Sequence, residues 1–170
     1  MADTAVPALR PLPVTLRWSL RCRADDRETV GRALGLALPD AICRSNEAGE
    51  RAALRLGPDE WLLRAPEGDA GWVGGLEAAM AGRPFSLVGI GDRQIGVLIP
   101  GADAEAILAA GCPLDLAEAA FPVGMCTRTV FAKAEILLWR RPEGFLVEYW
   151  RSFAGYVEGL LAQAERDSAW

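Results

Sequence analysis

Apolar residues recur with two different periods along this chain, and each change of period marks a new element. Val14 to Cys22 reads as a strand, after which Val30, Ala33, Leu34 and Ala37 recur at the three- and four-residue intervals of one helix face. Asp25-Asp26-Arg27-Glu28 has the D-x-x-E form of a capping box ahead of that helix, and Pro39, which cannot continue a helix, is read as its end. Arg51–Leu56 and Trp61–Arg64 flank the turn residues Gly57-Pro58-Asp59-Glu60, which predicts a hairpin. Trp72, Val73, Leu76, Ala79 and Met80 then line one face of a helix stopped by Gly82, and Phe85–Ile90 is the next strand.

The same order returns. A strand over Gln94–Ile99 leads into a short helix, Ala102–Ala110, that stops at Gly111, and Asp115 to Glu118 offers a second D-x-x-E cap for a single helical turn. Three strand-like runs follow, Thr127–Ala132, Glu135–Arg140 and Phe145–Trp150. Ser152 is placed to cap a last helix with Phe153, Tyr156, Val157, Leu160, Leu161 and Ala164 inward. Setting each residue against the one 84 positions later pairs Leu54 with Leu138, Pro58 with Pro142, Leu62 with Leu146, Val73 with Val157 and Leu76 with Leu160, without a gap. A turn proline kept in register is more than two amphipathic segments need to share, so the pattern predicts an internal duplication. The fold class expected is α+β, with duplicated strand-helix-hairpin-helix halves in the manner of ferredoxin-like units. A loosely held arm over residues 1–13 precedes a first half over 14–91 and a second over 92–166, the two halves forming one compact unit.

Composition narrows the function classes. The 170 residues are 51% apolar and 24% charged, enough for one packed domain or two small halves sharing a core. Eighteen basic against 23 acidic residues leave a net charge of -5, a poor basis for holding a polyanion, so no nucleic-acid partner is expected. There is no histidine, which removes imidazole as base, metal ligand or switch, and with it Ser-His-Asp and Cys-His catalysis. The four cysteines are 21, 69 and 14 positions apart, a spacing that prepares no metal or redox pair, and are read as buried reduced thiols. Apolar runs of only a few residues and the lack of a secretory pattern point to a soluble, cytoplasmic protein with no membrane partner.

Candidate chemistry is sparse. Gly89-Ile90-Gly91 lacks the third glycine of a dinucleotide loop and is followed by a strand, so it is read as a tight turn. Asp25, Asp115 and Glu118 are accounted for as caps, and Cys112 has no neighbouring lysine or histidine to activate it. No catalytic or metal residue is assigned. Six tryptophans and seventeen arginines beside a single lysine are the composition of interface anchors. Trp61 and Trp72 fall on core-facing positions, Trp18 on the first strand and Trp170 at the chain end. Trp139-Arg140-Arg141 and Tyr149-Trp150-Arg151 are the densest aromatic-arginine clusters, making Trp139, Arg140, Trp150 and Arg151 the interface candidates.

Several strings, taken together, carry a resemblance: Gly57 to Leu63 (GPDEWLL), Ile90 to Gln94, Ile107 to Leu116 with its GCPLDL, Phe121 to Gly124, and Arg151 to Tyr156 (RSFAGY). From residue 14 to 165 the chain resembles the gamma subunit family of heterotetrameric sarcosine oxidase. The resemblance implies a small subunit of a complex that oxidises sarcosine to glycine, with alpha, beta and delta subunits as partners. It implies that FAD, FMN, NAD, tetrahydrofolate and zinc belong to those partners and none to this chain. It also implies a fold like the folate-binding domain of aminomethyltransferases, in which Asp92, at a central turn beside Arg93, is the candidate for a pterin. Gly91 stands where related chains are expected to carry serine. A noncatalytic structural and interaction subunit is therefore the leading expectation, with a folate- or pterin-binding module as the alternative.

Overall fold

The computed structural model describes residues 9–101 and 103–168. Ala102, Trp170 and the first eight residues of the expected arm lie outside them. The strands are β1 (Arg10–Pro11), β2 (Thr15–Cys22), β3 (Arg44–Ala48), β4 (Arg51–Arg55), β5 (Glu60–Pro66), β6 (Phe85–Gly89), β7 (Gln94–Pro100), β8 (Cys126–Phe131), β9 (Ala134–Arg141) and β10 (Gly144–Trp150). The helices are α1 (Arg27–Leu34), α2 (Leu76–Ala79), α3 (Ala104–Ala109) and α4 (Ala154–Ser168). Two compact units divide the chain: Pro13–Asp92, and Arg93 onward together with the residues up to Leu12.

In the first unit an antiparallel sheet runs β3-β4-β5-β2-β6, and α1 packs with α2 over a core of Leu20, Val30, Leu34, Trp61, Leu63, Trp72 and Leu76. Asp26, and not Asp25, precedes α1, and neither side chain caps it: a 3-10 turn over Ala24–Asp26 leads the chain in, and buried Asp26 instead accepts a hydrogen bond from Arg83. Gly35 ends α1 four residues ahead of Pro39, because its φ of 63° lets the Leu36 N–H turn back to the Gly31 carbonyl at 3.1 Å. The helix expected around Trp72 to Met80 is regular only over Leu76–Ala79. Glycines 71, 74 and 75 precede it, and the chain curls there through successive tight turns.

The second unit has the sheet order β1-β7-β10-β9-β8, with α3 against α4 over Ile99, Leu108, Phe121, Phe145, Val147, Tyr149, Val157 and Leu161. One hairpin strand matches its counterpart residue for residue: β10 is β5 shifted by 84 positions at both ends, and 3-10 turns at Glu67–Asp69 and Arg151–Phe153 keep that shift, while the pairing register relates β4 to β9 by 85. Trp61, Leu62 and Leu63 have Phe145, Leu146 and Val147 at the same pairing positions, all buried. Across the sheets, Ser19 pairs with Leu62 and Leu98 with Leu146, so β2 and β7 are related by a shift of only 79. By these registers the second unit has about six more residues between β7 and β9 and one fewer in the hairpin turn.

One difference from the expected layout sits at the front of the chain. Arg10 and Pro11 are not part of a loose arm; they pair with Leu98 and Val97, the Leu12 N–H reaches the Gly96 carbonyl at 2.9 Å, and Leu9 packs on the second core. Gly96 is required there, since a Cβ would come within 2.4 Å of the Val147 carbonyl oxygen.

Candidate functional site

The Gly91–Arg93 segment forms a 3-10 turn between β6 and β7. Asp92 and Arg93 are both exposed, and the Arg93 guanidinium lies 5.0 Å above the centre of the Trp150 ring. An exposed carboxylate offers a pterin no desolvated partner, so the residues present do not fit a folate site at this turn. A Cβ at Gly91 would rest 3.7 Å from the Arg17 nitrogen and the Thr15 carbonyl, ordinary contact, so the serine expected in related chains has room. Two grooves of about 440 Å³ open on the first unit, one along Arg27–Leu38 and one at Arg21, Asp59 and Phe85; neither includes Asp92.

Two interface candidates from the sequence prove to be internal. Trp139 is wholly buried in β9, beneath the Arg141 guanidinium at 4.7 Å. Arg140 donates to the Leu116 carbonyl at 2.8 Å and the Phe121 carbonyl at 3.2 Å, pairs with Glu105 at 2.9 Å and covers the Phe145 ring at 5.0 Å. It ties the long loop after α3 to the sheet. The strand alternation that would have flagged Trp139 as inward is lost because β9 and β10 are buried on both faces.

Trp150 and Arg151 are at the surface. Trp150 closes β10 with 41% exposure, and Ser152 lies inside the 3-10 turn over Arg151–Phe153 and does not directly precede α4, so it does not perform the role its position suggests. Phe153 and Tyr156, expected inward, are 43% and 41% exposed. Val157, Leu161 and Ala164 hold the inward face of α4. The three aromatics recur every three residues, with Trp150 closing β10, Phe153 ending the 3-10 turn and Tyr156 in the first turn of α4. That spacing was visible in the sequence; the departure from α-helix at Arg151 was not.

The remaining titratable groups serve packing. All four cysteines are free, with Cys22, Cys112 and Cys126 buried, and burial aided by Asp26 and Asp59 pushes the Cys22 thiol up to about 11. The Tyr149 hydroxyl, buried in the second core, donates to Glu158 at 2.8 Å; burial first and that hydrogen bond second raise it above the usual phenol range. Among the described residues no three cysteine, aspartate or glutamate side chains converge on a metal position, and no helix is long and apolar enough to cross a membrane.

The profile of the sarcosine oxidase gamma subunit family matches residues 24–167. The chain belongs to that family. A curated sarcosine oxidase subunit gamma from Arthrobacter sp is 38% identical over 112 residues, which are 65% of this chain and 55% of the relative, so the match spans about half of that relative's length. Among solved structures, a chain of the heterotetrameric sarcosine oxidase from Corynebacterium sp. U-96, in complex with pyrrole 2-carboxylate, superposes with a TM-score of 0.87 at 26% identity, covering 95% of this chain and 85% of that one. Aminomethyltransferase T of the glycine cleavage system from Bartonella henselae superposes with a TM-score of 0.65 at 16% identity, over 90% of this chain and 44% of that one, a likeness of fold. This gamma-family chain thus has a mixed sheet-and-helix architecture shared with both.

Proposed function

We propose that this chain is a noncatalytic structural subunit of a heterotetrameric sarcosine oxidase. The reading rests chiefly on the superposition over 95% of the chain with a subunit of such a complex. On this reading the assembly converts sarcosine, tetrahydrofolate and oxygen to glycine, 5,10-methylenetetrahydrofolate and hydrogen peroxide in the cytoplasm. Alpha, beta and delta subunits are its partners and carry FAD, FMN, NAD, folate and zinc. The matching shift of 84 through one hairpin strand and the 3-10 turn, with the same strand order in both sheets apart from the edge strands β6 and β1, supports an origin by duplication of a ferredoxin-like unit.

The test is co-expression of the full chain with the larger oxidase subunits. The chain is expected to be colourless alone and to co-purify with flavin-containing subunits. Failure to co-purify overturns the reading. A micromolar dissociation constant for tetrahydrofolate, lost in Asp92→Ala, would replace it with a folate-binding function.

A further inference from the structure

We propose that Trp150, Phe153 and Tyr156, flanked by Arg93 and Arg151, are the surface by which the chain docks on another oxidase subunit, and that the occupant is an apolar groove rimmed by carboxylates. The proposal rests on the reading of the chain as a subunit and names the surface used. Three large aromatics, each more than 40% exposed, follow one another at three-residue spacing from the end of β10 into α4, and clustered apolar exposure of this kind marks an interaction surface. Phe153 ends the 3-10 turn and Tyr156 lies one residue ahead of Val157, beside the buried stripe of α4 and not on it.

Charge identifies the occupant. Arg21, Arg51 and Arg83 each meet a carboxylate within the first unit. Among the described residues Arg93 and Arg151 meet none, although the chain carries an acidic excess; Arg93 rests only on the Trp150 ring. Covering these guanidiniums removes them from water, and carboxylates on the facing surface offset that loss. A second copy of the chain is a poor occupant, because a two-fold contact through this patch sets arginine beside arginine. An anionic bilayer is a poor one as well, since the net charge of -5 opposes approach.

The positions one repeat earlier give an independent argument. Pro66, Glu67 and Asp69 stand where Trp150, Arg151 and Phe153 stand in the second unit, and Trp72, the counterpart of Tyr156, is only 9% exposed. The same backbone path therefore does not itself require exposed aromatics.

The test uses the full chain and its oxidase partners, with binding measured for Trp150→Ala/Phe153→Ala, for Arg93→Glu/Arg151→Glu, and for Val88→Ser as a control at an exposed apolar position of β6. Each patch variant is expected to bind about 30-fold more weakly or worse, the size of a hot-spot loss. Melting should stay within about 2 °C of wild type in the charge-reversed variant, whose side chains are exposed. Added salt should weaken wild-type binding but leave the charge-reversed variant nearly unaffected. Wild-type affinity in both patch variants, with wild type itself binding, overturns the surface and leaves the subunit reading intact. No binding by wild type overturns the subunit reading. Dimerisation of the isolated chain, or sedimentation with phosphatidylserine vesicles, abolished by the same substitutions would assign the patch to those occupants and overturn the proposal.

Discussion

Residues 66–72 and 150–156 follow the same path, out of a central strand and through a 3-10 turn, and yet they dispose of their aromatic bulk in opposite ways. In the first unit the strand position before the turn is Ala65, and the bulk arrives from beyond it: Trp72 folds back, donates from Nε1 to the Leu34 carbonyl at 2.8 Å, and meets the Trp18 ring edge-on at 6.1 Å. In the second unit the strand itself supplies the bulk through Tyr149, fully buried, which leaves Tyr156 outside. Gly71 and Gly75 recur as Gly155 and Gly159 within the fifteen residues of α4, so of the three glycines at the first segment's curl only Gly74, whose counterpart is Glu158, sets the two segments apart. Aromatic bulk thus comes from places seven residues apart in the two units, and Tyr156, left outside, is free to acquire surface chemistry.

Truncation should separate the two sides most sharply. Trp72→Ala is expected to cost about 3–5 kcal/mol of folding stability and Tyr156→Ala no more than about 0.5 kcal/mol, both read from urea unfolding midpoints. Equal losses would dissolve the comparison. Next in size, Ala65→Tyr should overpack the first core at a cost of about 1–3 kcal/mol, and combining it with Trp72→Ala should cost less than the two singles together, by about 1 kcal/mol or more in a double-mutant cycle. Strict additivity would show that the two positions do not share one space. Tyr149→Phe removes the hydroxyl bond to Glu158 and should cost about 1 kcal/mol. Because the folded phenol is harder to ionise than the unfolded one, the stability tied to it is complete below the ordinary tyrosine value and declines as pH rises past about 10; the variant should lose that alkaline slope. The smallest effect concerns Asp69, the counterpart of Phe153. Its hydrogen bond from Arg51 at 2.7 Å holds its carboxyl below the usual range, so its stabilising contribution is present above about pH 4 and fades in acid. Asp69→Asn should flatten the acid limb of a melting-temperature series slightly, while Phe153→Ala leaves that limb unchanged.

Legibility in the sequence followed apolar content. Both central hairpins, with Trp61 and Phe145 inward, lie where alternation and their turn residues put them, and the 84-residue shift is already present in the letters. Strand β3, Arg-Ser-Asn-Glu-Ala, had no such signal, because an edge strand half-open to water is selected for solubility and carries no apolar rhythm. Trp139 and Arg140 looked like anchors because residue type alone does not separate a buried aromatic-arginine contact from an exposed one; only the carbonyls of Leu116 and Phe121, brought in from a distant loop, show that Arg140 is engaged. Phe153 and Tyr156 were placed inward by assuming a regular helix from Ser152. Phe153 instead belongs to the 3-10 turn over Arg151–Phe153, and Tyr156, one residue ahead of Val157, lies about 100° around α4 from the inward stripe.

The two-residue strand β1 has a consequence for the order in which the protein is made. The first unit uses only contiguous residues and can close soon after Asp92 has left the ribosome. Arg10 and Pro11 emerge before any of it, yet their hydrogen-bonding neighbour β7 gains its other partner only when β10 has been synthesised. At ordinary elongation rates that interval is roughly 7–30 s. During it the segment Arg10–Pro11 must stay free of pairing elsewhere. Brevity and proline suit it to the wait: with Pro11 and Pro13 lacking N–H donors, the nascent segment is a weak template for mispairing with the exposed edge of β6 or with neighbouring chains, and keeps until its own sheet arrives.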